Sequence, residues 1–292
     1  MRPWRFLRIC PWIKKPLVHK QSNSFKINSS TMKQFMLGVA LLFFSGQSIS
    51  QGSIKIAIII DDLGNNYSVG KQLIDMPYQM TYAILPKRPY TVQLANLAAY
   101  HGKEVMVHLP MQSSQQQELG NGALTMDQTR RQFMRTVQES IESVPYARGV
   151  NNHMGSLLTR HPGHMAWLME TLSLESGNLY FVDSKTTAQT IAGQIAREHL
   201  VPNIARDVFL DSVQNEDEIN KQLIQLLNLA KEKGYAVAIG HPYAETIESL
   251  RKFLPRLSRE NIEVVPVTTL VELNNESIWP RYSYRLPAAV KN

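Results

Sequence analysis

Residues 54–60 read IKIAIII. A helix on a protein surface needs polar residues every three or four positions, and a half-exposed strand needs them at every second. A near-continuous β-branched run satisfies neither, and suits a strand covered on both faces in a parallel sheet flanked by helices. The same unit recurs along the chain: a short apolar segment, polar residues at its end, then a helical stretch. Further strands are predicted over 80–85, 104–109, 148–151, 179–182, 208–210, 236–239 and 263–267. Helices fit the gaps. Thr125 and Gln128 form a capping box for a helix running to about Val144. Ile219, Leu223, Leu226, Leu227 and Ala230 share a helical face in a segment that Gly234 stops. The pattern predicts an α/β fold, a distorted (β/α) barrel first and a doubly wound open sheet second.

The full chain of 292 residues carries a net charge of +7, which invites a nucleic-acid partner. Eight of its 31 Lys and Arg lie in the first fifty residues, which hold no acid, and residues 51–292 keep 23 basic against 24 acidic residues. A near-neutral body has no electrostatic footprint for phosphate backbones, so no nucleic-acid partner is expected. The only cysteine, Cys10, is also in that leader, which excludes a thiolate metal site, a disulfide and a cysteine nucleophile from the body. No Gly-rich phosphate loop and no G-x-S-x-G elbow is present, so neither a nucleotide nor serine-hydrolase chemistry is expected.

Residues 32–50 read MKQFMLGVALLFFSGQSIS: a short basic start, an apolar run and small residues before Gln51. That is the layout of a secretory signal peptide, with an uncleaved signal anchor in the inner membrane as the alternative. Residues 1–31 read as an over-extended start or a long n-region, residues 51–275 as the (β/α) barrel domain and 276–292 as a tail. An exported, periplasmic location is expected, and a body without cysteine suits an oxidising compartment.

The chemistry sits where the strands stop. They end in Asp61-Asp62, in His108, in Asn151-Asn152-His153, in Asp183-Ser184-Lys185 and in His241-Pro242. Side chains at the carboxyl ends of parallel strands converge on one face, where ligands bind. Asp183 also fits a plain helix N-cap. Adjacent buried carboxylates such as Asp61 and Asp62 call for a cation between or beside them. Without cysteine, a divalent metal takes His nitrogen and Asp oxygen, and two His plus one Asp with an open position suit catalytic zinc. Such a metal acidifies its bound water and polarises a carbonyl. A second carboxylate takes the water's proton and a His across the site protonates the leaving group, which is hydrolysis of an amide or ester. His19, His101, His161, His164 and His199 read as surface residues, and Met106, Met111 and Met154 as packing or pocket wall.

IIIDDLGNN, HLPMQ, GVNNHMGS, FVDSKTT and AIGHPYAET, in this order over about residues 54–270, resemble the divergent polysaccharide deacetylase (YibQ-like) family. The resemblance implies a distorted seven-stranded (β/α) barrel related to NodB-type chitin and peptidoglycan deacetylases. It further implies Asp61 as general base, Asp62 and His108 as metal ligands, His241 as general acid and Asp183 as a carboxylate that orients a catalytic group. Where NodB-type enzymes place a second His four residues after the first, this chain has Gln112, and His153 is the replacement ligand the sequence offers. The Arg-x-Pro-Tyr element is also absent, leaving Asn151, Asn152 or a nearby backbone N–H to bind the oxyanion. The expected function is deacetylation of an envelope polysaccharide or peptidoglycan-like glycan. The alternative is an inactive carbohydrate-binding or envelope-assembly factor on the same fold.

Overall fold

The structure is a computed structural model and describes residues 53–278 apart from 116–117, 121 and 176–178. The expected signal peptide, the expected start and most of the expected tail lie outside the described residues. The strands are β1 (Ile54–Leu63), β2 (Thr81–Ile84), β3 (Glu104–Met111), β4 (Ala147–Met154), β5 (Tyr180–Asp183), β6 (Asn203–Ala205), β7 (Val208–Phe209), β8 (Tyr235–Gly240) and β9 (Ile262–Val264). The α-helices between and after them are α1 (Tyr67–Ile74), α2 (Thr91–Tyr100), α3 (Arg130–Glu142), α4 (Pro162–Leu174), α5 (Ala192–Glu198), α6 (Glu216–Lys233), α7 (Ala244–Leu257) and α8 (Val267–Ile278). No helix among the described residues is long and apolar enough to cross a membrane.

All strand pairs are parallel, in the order β6-β5-β4-β3-β2-β1-β8-β7, with β9 added alongside the start of β1. Laid flat, eight strands would separate the edges β6 and β7 by about 33 Å. Only Arg206 and Asp207 stand between those two strands, a span of at most about 11 Å. The sheet is therefore rolled into a barrel, and the open-sheet alternative falls. Side chains bridge the seam. Arg206 Nε donates to Ser184 O (2.7 Å) and its Nη2 to Lys185 O (3.0 Å) after β5, while Asp207 Oδ2 accepts from Val237 N of β8 (2.8 Å).

Each of the eight predicted strands overlaps an observed one; β6 is the addition. Its three residues follow Pro202 and precede Arg206, too short a stretch to show a period. The capping box is also displaced by one turn. Thr129 and Gln132 cap α3 reciprocally, and Thr125 bonds Asp127 and Gln128 in the preceding turn. Both threonines fit the S/T-x-x-Q pattern, and the buried face of Phe133 and Val137 selects the second. Helix α6 ends at Gly234, which takes the left-handed conformation (φ 87°).

Alternation along the strands divides the core. Ile56, Ile58 and Ile60 of β1 pack under the helices, whereas Ala57 and Ile59 fill the lumen. Met106, Tyr180, Val182, Ile204, Val237 and Ile239 share that lumen with Val267, Leu270 and Val271 of α8. Helix α8 closes the amino end of the barrel, where Val267 N donates to Thr81 Oγ1 and Thr268 bonds the buried Glu104. The lumen is left open towards the carboxyl ends of the strands.

Candidate metal and hydrolytic site

Period two continues past the lumen core and decides which polar residues meet. The next inward position is Asp61 on β1, after Ala57 and Ile59, and His108 on β3, after Met106. Ser184 follows Tyr180 and Val182 after β5, Arg206 follows Ile204, and His241 follows Val237 and Ile239. On β4, Asn151 pairs in register with His108, and His153 lies two residues further on the same face. Asp61, His108, His153, Ser184, Arg206 and His241 line a cavity of about 350 Å³ at this end of the barrel.

Asp62 should point away, as the neighbour of an inward residue. It does not, because the β1–β2 register shifts between Ile60 and Leu63 and Asp62 takes a left-handed conformation (φ 58°). Asp tolerates this region better than most residues, at a cost of about 1–3 kcal/mol. The turn delivers Asp62 Oδ1 to 3.1 Å from His108 Nε2 and 2.9 Å from His153 Nδ1, and those two nitrogens lie 3.0 Å apart. These three residues are the candidate metal ligands found among the described residues. Asp62 Oδ1 is buried without a hydrogen-bond partner. Tetrahedral zinc with bonds near 2.0–2.1 Å spaces its ligand atoms about 3.3 Å apart, so a slight spreading of this triangle fits the ion. Two nitrogens and one carboxylate oxygen are also the donors such a metal prefers.

Behind the triangle, Asn151 holds two of its neighbours. Its Nδ2 donates to Asp61 Oδ1 (2.8 Å), and its Oδ1 lies 2.8 Å from His108 Nδ1. With Nδ1–H donated there, His108 presents the lone pair of Nε2 to the site. Burial lifts the Asp61 carboxyl above its ordinary range, against the pull of His108 and His241. Burial also acts to raise Asp62, but contacts with His108 and His153 outweigh it and hold the carboxyl far below that range. For His108 burial works against the charged ring, yet Asp61 and Asp62 prevail and push it up to about 9.

His241 stands across the cavity, its Nε2 3.9 Å from Asp62 Oδ2 and its Nδ1 2.8 Å from Asp211 Oδ1. Asp211 Oδ2 also accepts from His241 N (2.5 Å) and from the Thr246 hydroxyl (2.7 Å). Gly240 permits this approach, since a Cβ there would lie 3.3 Å from Asp211 Oδ2. Burial opposes protonation of His241, but the Asp211 hydrogen bond and the nearby carboxylates raise its pKa on balance.

Residues 58–271 match the divergent polysaccharide deacetylase family. The chain belongs to that family. It is 36% identical over 217 residues to the uncharacterized protein YibQ of Escherichia coli K12, covering 74% of this chain and 67% of that one. It is 32% identical to an uncharacterized protein of Haemophilus influenzae, over 86% of this chain and 87% of that one. The crystal structure of an uncharacterized protein from Agrobacterium tumefaciens C58 superposes with a TM-score of 0.72 at 21% identity, covering 76% of this chain and 90% of that one.

Within this member of the family several residues differ from expectation. Asp183 has the parity of Phe181, which packs under the helices, so its carboxylate turns to Lys185 N and the Thr190 hydroxyl (both 2.9 Å). The carboxylate that orients His241 is Asp211 instead. The sequence held the signal for it, because 208–210 was a predicted strand and Asp211 is the polar residue at its end. Asn151 is fully buried behind His108 with both amide atoms engaged, which removes it as an oxyanion donor. Asn152 borders the cavity, but it binds Met154 O and Ser184 N and serves as a loop brace. Gln112 Oε1 accepts from Met126 N (2.7 Å), so its side chain braces a loop. His164, read as a surface residue, is buried against Phe133 and Trp167. Arg206, which the strand pattern did not mark, lines the cavity from the seam.

Proposed function

We propose that this chain is an exported, metal-dependent hydrolase that removes acetyl groups from an envelope polysaccharide. The observation that carries the reading is the convergence of Asp62 Oδ1, His108 Nε2 and His153 Nδ1 within about 3 Å of one another, flanked by Asp61 and His241. A binding protein has no need of a carboxylate and an imidazole placed on opposite sides of a metal triangle. A bound divalent metal, zinc by its donor set, supplies an acidified water and a polarised acyl carbonyl. Asp61, with Oδ1 held by Asn151, receives the proton at Oδ2. His241, with Nδ1 engaged by Asp211, delivers one from Nε2 to the departing amine or alkoxide.

The test pairs metal analysis of purified residues 51–292 with acetate release from envelope glycans, and follows glycan affinity on the same samples. Asp61→Asn and His241→Ala are each expected to slow release by about 10²–10⁴-fold while glycan still binds. If wild type and both variants bind glycan alike and none releases acetate, the hydrolase reading is wrong and the glycan-binding alternative stands. Export rests on the layout of residues 32–50. N-terminal sequencing of envelope-extracted protein should give a chain beginning near Gln51, and an intact Met1 or Met32 would overturn cleavage.

A further inference from the structure

The metal ligands, Asp61 and His241 occupy only part of the cavity wall. The rest comes from the seam side, where Ser184 and Arg206 hold the inward positions after β5 and β6 and Lys185 lies between them at the mouth. Ser184 is 5% exposed and its Oγ is buried without a hydrogen-bond partner. A buried hydroxyl that has given up water without gaining a partner is costly unless something arrives to pair with it. Lys185 takes a left-handed conformation (φ 47°), and among the described residues its ammonium makes no hydrogen bond or ion pair. Arg206 stacks over the Phe209 ring (4.8 Å to its centroid) and grips the carbonyls of Ser184 and Lys185, which fixes this stretch against the cavity. Asp61, Asp183 and Asp207 all act on the Arg206 charge, and Asp183 also acts at longer range on Lys185, whose ammonium nonetheless has no direct partner among the described residues.

We propose that Ser184, Lys185 and Arg206 form a carboxylate subsite, so that the glycan taken here carries an acid group on or beside the acetylated sugar. The inference rests on the deacetylase reading for its glycan and narrows the substrate class. A monoanion matches the one ammonium at this wall that makes no hydrogen bond or ion pair among the described residues, whereas a dianionic phosphate would leave surplus negative charge near Asp61. Arg206 has also committed Nε and Nη2 to the loop, which removes the fork that phosphate recognition favours.

The experiment compares three tetrasaccharides of equal length by calorimetry. One contains only N-acetylglucosamine, one alternates it with its 3-O-lactyl ether, and one is the methyl ester of that acid. Chelator-treated and zinc-loaded protein are both measured, so that binding to the metal is separable. Wild type should bind the acid about tenfold more tightly than the other two, in both forms, with the preference weakening as salt rises. Lys185→Gln should abolish the preference, and Ser184→Ala should reduce it. Equal affinity for all three sugars, no binding of the acid, or a preference that survives Lys185→Gln would overturn the subsite. So would a preference confined to zinc-loaded protein, which would place the carboxylate on the metal. Acetate release is scored separately: selectivity without release sinks the hydrolase and leaves the subsite.

Discussion

Asp211 and His241 sit at the ends of neighbouring strands, β7 and β8, and bond side chain to side chain over 2.8 Å. The second Asp211 oxygen holds the His241 backbone N–H and the Thr246 hydroxyl, so the carboxylate cannot turn without breaking two further contacts. A proton on His241 is therefore directed to Nε2, the nitrogen facing the cavity, and both charge states of the ring keep one orientation.

Asp211→Asn keeps the size of the side chain and discards the charge. Acetate release should fall by about 10²-fold or more, with zinc content at the wild-type level. Paired rate and metal measurements check it. Loss of metal along with rate would mean that Asp211 shapes the whole cavity rather than His241.

Asn151 is the corresponding brace on the metal side. Asn151→Leu strands Asp61 Oδ1 and His108 Nδ1 without partners, at about 1–3 kcal/mol each. Zinc affinity should also drop by about 10–100-fold, since Nε2 of His108 is aimed through its other nitrogen. Thermal unfolding and competition with a chelator of known affinity measure the two effects.

The parallel strands were legible in the sequence because they announce themselves: IKIAIII is a near-continuous β-branched run, as a strand covered on both faces requires. The polar strand ends were legible for the same reason, and five strand ends supplied the residues that now surround one cavity. Direction was the harder part. Asp183 ends β5 just as Asp61 stands near the end of β1, yet it is one residue out of phase with the lumen and faces the helices. Asp62 breaks the same parity through a backbone turn that no composition rule foretells. β6 and the bridge of Arg206 and Asp207 escaped because closure of the seam is a long-range event carried by two side chains.

Close packing at the opposite end makes a separate prediction. A Cβ on Gly149 would lie 2.3–2.5 Å from three atoms of the Tyr180 ring, whose hydroxyl bonds the buried Glu104. Gly149→Ala should destabilise the fold by about 1–3 kcal/mol with the candidate metal ligands untouched. Denaturant unfolding of the zinc-loaded protein, with metal content on the same sample, decides whether the effect is confined to the barrel floor.

His164 gives a pH dependence. Burial first, and then the neighbouring His161, lower its pKa below the ordinary value of 6.5, and Nε2 is buried without a bond. A depressed His pKa favours the folded state above the unfolded value, and that contribution is lost as pH falls below about 6.5. His164→Leu removes the titration. Its melting temperature should fall less than that of wild type between pH 7.5 and 5.5, and parallel curves would show that His164 does not contribute.

The last prediction concerns which histidine completes the metal triangle. His153→Ala removes the only Nδ1, among the described residues, within about 3 Å of both Asp62 Oδ1 and His108 Nε2, so bound zinc should fall well below one ion per chain. The resemblance to NodB-type enzymes suggests a rescue: placing histidine at position 112, four residues after His108. The structure argues against it. Gln112 lies beyond the end of β3, its side chain accepts from Met126 N, and its backbone pairs with Leu124 and the 157–158 turn. A histidine there would have to abandon the loop it braces before reaching Asp62. His153→Ala combined with Gln112→His should therefore remain as poor in zinc as His153→Ala alone, with circular dichroism confirming that both chains fold. Metal recovered in the double variant would show that the loop after β3 moves freely enough to supply the ligand, and that His153 is a replaceable member of the site.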